Sequence, residues 1–389
     1  KIQPKQPDKI DTADYDVSED TMDQISESQT VTINRSRIVN APALALAIIL
    51  IVGLAATVLL LRPGMPAKKS DKTTAVATAG ATAIDQKPLS NKPFGHSSQL
   101  PDGQRVTVFD FPKDQSMGTI YSLNGEHTID ARGEVTIPEG ELIRFRPSTD
   151  FLKHSEWFKK FKPDQIGDLD LSNRLNLSNN DLSNIKHLVN LRKLDLSDSN
   201  ITPNCTTCLS GMKKLTELNV TNTDINDQSL AKLPALRQLE VLEARELGHM
   251  TSTLKAIAGS SRLHKLTLSN SAINDKAVKL IGEDRNIDYL SLSENAAVTA
   301  NGVKYLAPLK RLNHLNLQNC SVGPDVIETL AGFRRMHDLK INTVKWPQNK
   351  INALRAALPP GCRLDQGIGS TKENKAAFDP FKSLGTIGP

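Results

Sequence analysis

The chain has 389 residues, a formal net charge of +5 and an aromatic content of only 4%. This length is enough for two or three domains. The positive charge is small, and neither an arginine cluster nor an aromatic platform accompanies it, so the sequence gives no support for nucleic-acid binding. Four cysteines are too few for a disulfide framework.

Residues 1–37 are polar and acidic, which predicts a flexible tail. Residues 38–62 are predicted to form a transmembrane helix that binds the lipid bilayer. The 21 residues 41–61 are uncharged and would form about 31 Å of helix, close to the thickness of the hydrocarbon layer. Arg37 and Arg62 flank the segment. A cleaved signal peptide fits less well because the segment lies far from the start, and a buried core helix fits less well because no face is polar.

Two segments of different composition follow the predicted helix. Residues 63–100 are rich in Pro, Ala, Thr, Ser and Lys and show no period, which indicates a low-complexity linker. Residues 101–160 contain short runs of β-branched and aromatic residues separated by glycines. This pattern predicts a small β-rich module.

Residues 161–365 contain a repeated phrase: apolar, two variable residues, apolar, one variable residue, apolar. The leading residues of seven copies are 21 to 27 residues apart. An irregular first copy is predicted at Leu175–Leu182. The seven regular copies are Leu191, Leu194, Leu196; Leu215, Leu218, Val220; Leu236, Leu239, Val241; Leu263, Leu266, Leu268; Ile287, Leu290, Leu292; Leu312, Leu315, Leu317; and Met336, Leu339, Ile341.

A period of 20–29 residues with this phrase is typical of leucine-rich repeats. The chain resembles that family, and strand plus helix in each repeat resembles its ribonuclease-inhibitor-like branch. The resemblance implies an α/β solenoid with parallel strands on the concave side and short helices on the convex side. The β-rich module is then expected to cap the first apolar face. Residues 366–389 are polar and predicted to be a disordered tail.

A second apolar pattern follows each strand and predicts the convex helices. Asp227, Asp275 and Asp325 precede these segments, where a carboxylate can cap free helical amides.

Cys205 and Cys208 form a CxxC motif. The repeat register places both on the helical side, which favours a structural role, while a local disulfide or redox pair stays open. Cys320 occupies the position where a small polar side chain is expected to meet turn backbone in the next repeat. A zinc site needs about four ligands, and no second CxxC or paired histidine supplies them. We therefore predict neither a metal nor a cofactor.

The concave face is predicted to bind a protein partner, because solenoids usually expose this surface for binding. Tyr289 is its one aromatic anchor, beside His264 and His314 in neighbouring repeats, and Tyr is favoured in interfaces. The alternative is a solvated face that binds nothing tightly. The spacing of His, Ser and carboxylate residues matches no catalytic motif, so an enzyme is not predicted. The predicted contact residues are His264, Thr267, Tyr289, Ser291, His314 and Asn316.

Two features of the sequence disagree about the side of the membrane on which the repeats lie. Within about 15 residues of the helix, two Lys or Arg precede it and four follow it, which places the repeats in the cytoplasm as a scaffold. The layout, however, resembles bacterial single-pass membrane proteins in which a cytoplasmic serine/threonine kinase precedes the helix and the repeats lie outside. We adopt repeats outside the cytoplasm, with the sensor portion of a receptor kinase as the alternative function.

Overall fold

The computed structural model describes residues 92–122 and 128–367. The predicted tail 1–37, the predicted transmembrane helix 38–62, most of the linker and nearly all of the C-terminal tail lie outside this part. Among the described residues, no helix has the length and apolar character that crossing a bilayer requires.

Six strands form the N-terminal module that was predicted to be β-rich. They are β1 (Gly95–Gln99), β2 (Arg105–Asp110), β3 (Gly118–Ser122), β4 (Thr128–Asp130), β5 (Glu134–Pro138) and β6 (Ile143–Pro147). Strands β1, β2 and β5 form an antiparallel sheet, whereas β4, β3 and β6 belong to a second sheet. The module begins earlier than the predicted boundary at residue 101, because β1 pairs along its whole length with β2 and Phe94 is buried.

Nine parallel strands follow, one from each repeat. They are β7 (Ile166–Asp170), β8 (Lys193–Asp195), β9 (Glu217–Asn219), β10 (Val241–Glu243), β11 (Lys265–Thr267), β12 (Tyr289–Ser291), β13 (His314–Asn316), β14 (Asp338–Lys340) and β15 (Arg363–Asp365). The central residue of every paired triplet is leucine, from Leu169 to Leu364, and successive central leucines are 24 or 25 residues apart. The fold is therefore a leucine-rich-repeat solenoid of the α/β class.

The solenoid sheet continues into the N-terminal module. Strand β6 lies parallel to β7 and pairs Phe145 with Leu169, so that one sheet of 12 strands runs from β15 to β4. Seven buried phenylalanines pack at this junction, with ring centroids of contacting pairs 4.9 to 6.5 Å apart. They are Phe94, Phe109, Phe111, Phe145, Phe151, Phe158 and Phe161.

The structure corrects the predicted register of two repeats. In the third repeat, Leu242 rather than Leu239 pairs with Leu218 and Leu266. Leu236, Leu239 and Leu242 are spaced three residues apart, so the repeated phrase could begin at Leu236 or at Leu239. The cross-strand pairing shows that it begins at Leu239. The repeat that precedes the seven regular copies has β7 as its strand and not Leu175–Leu182, since Leu175 is 62% exposed. The phrase of the third repeat is thus Leu239, Leu242 and Ala244, whereas the pattern predicted Leu236, Leu239 and Val241.

Short helices connect the strands. The α-helices are α1 (Thr149–Leu152), α2 (Asn179–Ser183), α3 (Thr206–Leu209), α4 (Asp227–Ala231), α5 (Thr251–Ile257), α6 (Asp275–Ile281), α7 (Ala300–Lys304), α8 (Ile327–Ala331) and α9 (Gln348–Ala357). The 3-10 helices are Ser155–Lys160, Pro203–Cys205, Leu236–Gln238 and Pro324–Val326, the last of which contains Asp325. Most have four to seven residues, so their stability depends on packing against the sheet.

The helix caps differ from the prediction. Asn226, and not Asp227, caps α4, since its side chain accepts a hydrogen bond from the third helical amide. The Asp227 carboxylate instead accepts a 2.7 Å hydrogen bond from the backbone N–H of Thr253 in the next repeat. Asp275 likewise accepts a 2.8 Å hydrogen bond from the Thr299 N–H. These aspartates therefore connect neighbouring repeats.

Candidate functional site

Polar side chains cover the solvent-facing side of the solenoid sheet. The residues directly before and after each central leucine point away from the core, because successive strand residues alternate between faces. Those before it are Asp168, Lys193, Glu217, Val241, Lys265, Tyr289, His314, Asp338 and Arg363. Those after it are Asp170, Asp195, Asn219, Glu243, Thr267, Ser291, Asn316, Lys340 and Asp365.

Tyr289 and His314 form a stacked pair on this face. Their ring centroids are 5.5 Å apart with an interplanar angle of 26°, and His314 lies 5.9 Å from the ring of His337. The Lys265 ammonium is 5.3 Å from the Tyr289 ring centroid on the other side. Burial raises the pKa of Tyr289 and lowers that of His314, so His314 favours the neutral imidazole.

His264 lies apart from this pair. The strand neighbour of Tyr289 is Lys265, because His264 is one residue before the paired triplet. The Nδ1 of His264 lies 3.7 Å from Oδ1 of Asp288, and interaction with this carboxylate raises the pKa of the imidazole. The structure therefore places His264 beside an acid rather than in the aromatic stack.

The three smaller predicted contact residues take part in the packing of the sheet. Thr267 and Ser291 are each only 4% exposed. The Ser291 hydroxyl oxygen lies 2.9 Å from that of Ser269, and Asn316 accepts a 3.0 Å hydrogen bond from the Gln318 N–H. A partner can reach Asn316 more readily than the two buried hydroxyls, since Asn316 is half-buried.

A polar cleft of about 470 Å³ lies over strands β6 to β10 and was not predicted. Its lining includes the arginines Arg144, Arg146 and Arg245 and the carboxylates Asp170 and Asp195. Because two of the arginines come from β6, the N-terminal module and the solenoid both contribute to this polar cleft.

Opposite charges meet within the polar cleft. The Arg144 and Arg146 guanidinium nitrogens lie 3.9 and 3.6 Å from the same Asp170 oxygen. The Arg144 guanidinium also lies 4.8 Å from the Tyr121 ring centroid. The side chain of Asp170 is only 7% exposed, whereas that of Arg146 is 41% exposed. The buried carboxylate thus orients cationic groups at the cleft wall.

The floor of the polar cleft repeats one hydrogen-bond pattern. One Asp195 oxygen accepts hydrogen bonds from the backbone N–H and hydroxyl of Ser197, at 2.9 and 2.6 Å. The other accepts from Asn219 at 3.2 Å, and Asn219 in turn accepts from the Thr221 N–H at 3.1 Å. Burial raises the pKa of Asp195 to about 6. Asp170 makes the same turn contact, so these residues shape the turns as well as the cleft.

Because the predicted register of the third repeat was wrong, two charged residues of the concave face, Glu243 and Arg245, were not predicted. Glu243 has a side chain only 3% exposed, lying 2.8 Å from Lys265 and 3.2 Å from Arg245. The predicted register had placed Glu240 and Leu242 at the positions of Glu243 and Arg245. The constant step between central leucines was the sequence signal that identifies the correct register.

The four cysteines are free thiols. Cys205 is fully buried, and burial raises the pKa of its thiol to about 12, which disfavours a reactive thiolate. Cys320 donates a weak hydrogen bond to the Leu292 carbonyl in the preceding repeat rather than the next one. Across residues 92–122 and 128–367, no group of three or more His, Cys, Asp or Glu side chains is arranged to hold a metal ion.

Comparisons with known proteins found solved structures of low similarity only. No protein-family model and no curated protein matches the chain. A Listeria monocytogenes internalin C2 structure is 22% identical, with a TM-score of 0.37, and the match covers 48% of this chain and 74% of the internalin. The plant peptide hormone receptor RGFR1, in complex with RGF2, is 15% identical, with a TM-score of 0.30, over 47% of this chain and 34% of the receptor.

TLR13, in complex with ssRNA13, is 19% identical, with a TM-score of 0.34, over 45% of this chain and 28% of TLR13. The chain thus spans about a third of the length of these two receptors. All three are leucine-rich-repeat proteins, the fold that the strand pairing of this chain shows independently.

Proposed function

We propose that this chain is a membrane-anchored protein-binding module whose concave face contacts its partner around Tyr289 and His314. The observation that carries the proposal is the stacked Tyr289–His314 pair on the solvent-facing side of the sheet, with Lys265 against the Tyr289 ring. Tyrosine is enriched among the residues that dominate binding energy at protein interfaces. The parallel sheet holds the rings in place, so little conformational freedom is lost on binding.

The other predicted contact residues take different roles in this proposal. His264 and Asn316 are half-buried, so a partner that covers the stack can also reach them. Thr267 and Ser291 lie beneath the contact surface and support it.

The binding surface is tested with two tyrosine variants of the full chain. Tyr289→Ala should reduce the recovery of a specific co-purifying protein from native membranes at least tenfold, without lowering the thermal midpoint. Tyr305→Ala is the matched control, since Tyr305 is 44% exposed and follows the convex helix α7. Quantitative mass spectrometry of the captured proteins provides the comparison. An unchanged set of proteins with Tyr289→Ala would reject this surface.

Membrane anchoring rests on residues 38–62, with Arg37 and Arg62 at the ends of the apolar run. We place the repeats outside the cytoplasm, and the N-terminal module and its phenylalanines then act as the cap of a solenoid of the ribonuclease-inhibitor-like branch. Protease added to intact cells should remove the repeats while leaving the membrane-embedded peptide. Complete protection would instead favour the cytoplasmic scaffold that the Lys and Arg count supports.

The alternative function is that of the sensor and membrane portion of a receptor serine/threonine kinase. It is supported by the order of acidic segment, apolar segment, linker and repeats. The intact mass of the native protein tests it: a mass well above 42.5 kDa, with kinase peptides, supports the alternative. A mass equal to that of this chain contradicts it.

A further inference from the structure

The polar cleft defined above has a charge arrangement that disfavours simple ions. Arg146 lies 3.6 Å from Asp170, and Asp195 lies on the same cleft floor. An anion that approached Arg146 would also approach these carboxylates, while a cation that approached Asp170 would meet two guanidinium groups. An uncharged ligand that carries many groups able to donate and accept hydrogen bonds suits both signs.

Hydroxyl groups meet this requirement. Each hydroxyl can donate to a carboxylate and accept from a guanidinium or amide at the same time. The cleft lining offers both kinds of partner: the carboxylates are Asp170, Asp195, Asp198 and Glu246, the amide is that of Asn219, and the guanidinium groups are those of Arg144, Arg146 and Arg245. The arrangement therefore favours a ligand dense in hydroxyl groups over an apolar or singly charged molecule.

The spacing of the polar groups gives the form of the ligand. Ser172, Ser197 and Thr221 occupy equivalent positions of consecutive repeats and line the cleft. Neighbouring strands are about 4.8 Å apart, so equivalent groups recur at that distance across the sheet. An extended peptide presents side chains on one side only every ~6.6 Å, which does not match. The length that one pyranose unit adds to an extended oligosaccharide is close to the spacing between neighbouring strands.

We propose that the polar cleft binds a neutral oligosaccharide that lies across strands β6 to β10. The four strand intervals from β6 to β10 span about 19 Å, enough for about four sugar units. Hydroxyl groups of the sugar would donate to the half-buried Asp198 and the exposed Glu246, which also line the cleft, and accept from Arg146 and Arg245. This site is separate from the protein-binding surface around Tyr289 and is independent of the proposed function.

Isothermal titration calorimetry on the full chain tests the proposal. The protein is held in a detergent without a sugar headgroup, because maltosides and glucosides would compete. The probes are cellotetraose, maltotetraose and the tetramer of N-acetylglucosamine, each compared with its monosaccharide. We expect at least one tetramer to saturate a single site at least tenfold more tightly than its monosaccharide. No binding of any tetramer at millimolar concentration would overturn the proposal.

Variants then locate the site. Arg146→Ala should weaken binding of that tetramer at least tenfold, and Arg146→Lys, which keeps the charge but loses the planar donor fork, should also weaken it. Lys340→Ala is the matched control, since it removes one positive charge from the same face at β14 and should leave the affinity unchanged. Equal affinity in Arg146→Ala and in the unsubstituted protein, with unchanged thermal midpoints, would reject the site.

One further outcome also rejects the proposal. If no tetramer binds, and co-purifying proteins are lost from Arg146→Ala but kept by Lys340→Ala, the polar cleft is a protein contact. The Tyr289→Ala comparison is read separately, so failure of the saccharide site and failure of the protein-binding surface are distinguishable.

Discussion

The two halves of the concave face accommodate polar side chains differently. On β7 to β10, the residues around the central leucines are mostly charged, and Glu243 is buried between Arg245 and Lys265. On β11 to β13, the position after the central leucine holds Thr267, Ser291 and Asn316. Hydroxyl oxygens there lie within hydrogen-bonding distance of one another across strands. The contrast teaches that this face tolerates a buried charge where a neighbouring strand supplies an opposite charge or several hydrogen bonds.

The largest expected effect comes from breaking the buried charge cluster in the first half. Glu243→Leu removes the carboxylate and leaves Arg245 and Lys265 facing each other, which should lower the free energy of unfolding by about 3 kcal/mol. Ser291→Ala, at the equivalent position in the second half, should cost less than about 1 kcal/mol. Denaturant unfolding of both variants measures the difference. Similar losses for the two would remove the distinction between the halves.

Removal of a buried carboxylate that has no cation beside it should instead raise the free energy of unfolding. Asp284 is 2% exposed, and its Oδ2 has no hydrogen-bond partner in the part of the chain that the structure describes. Equivalent positions in other repeats hold Leu236, Leu309 and Phe333. Burial raises the pKa of Asp284 to about 7. Because the folded-state pKa exceeds the unfolded value near 4, the ionised form destabilises the fold, increasingly so as pH rises from about 4 to 7.

Asp284→Leu should therefore raise stability by about 2 kcal/mol at pH 8 and have little ionisation-linked effect at pH 4. Unfolding curves at both pH values check this. Asp284→Asn, which loses the charge but keeps a polar group, serves as the control and should give a smaller gain. Destabilisation by both substitutions at pH 8 would contradict the account.

The smallest expected effect is a change in the pH dependence of stability. Since burial raises the pKa of Asp195 to about 6, its contribution to stability falls as pH rises from about 4 to 6. Asp195→Asn should remove this part of the slope, about 1 kcal/mol between pH 4 and 7. Thermal midpoints across that range measure it. Asn316→Asp, at the same position in the second half, should add such a slope. Parallel plots of thermal midpoint against pH for the unsubstituted protein and these two variants would contradict the prediction.

The sequence predicted the solenoid because its apolar period is long and regular, and the pairing of central leucines confirms it. It did not predict the register of the third repeat, since leucines every three residues fit two alignments and only pairing through Leu242 distinguishes them. The stacked Tyr289–His314 pair was predictable from that period. The polar cleft was not, because Arg144 and Arg146 lie outside the repeats and reach Asp170 only through the pairing of β6 with β7.

The hydrogen bonds by which aspartates join successive repeats have a direction along the solenoid. Asp227 holds the Thr253 N–H, and Asp275 holds the Thr299 N–H, always from one repeat to the following one. Loosening of α4 therefore exposes the amides of Ser252 and Thr253 in the first turn of α5, and loosening of α6 exposes the amide of Thr299, the residue that caps α7. After local opening of one repeat, amide hydrogen exchange should therefore increase next in the repeat on its C-terminal side. The direction of these hydrogen bonds thus determines the order in which the repeats open.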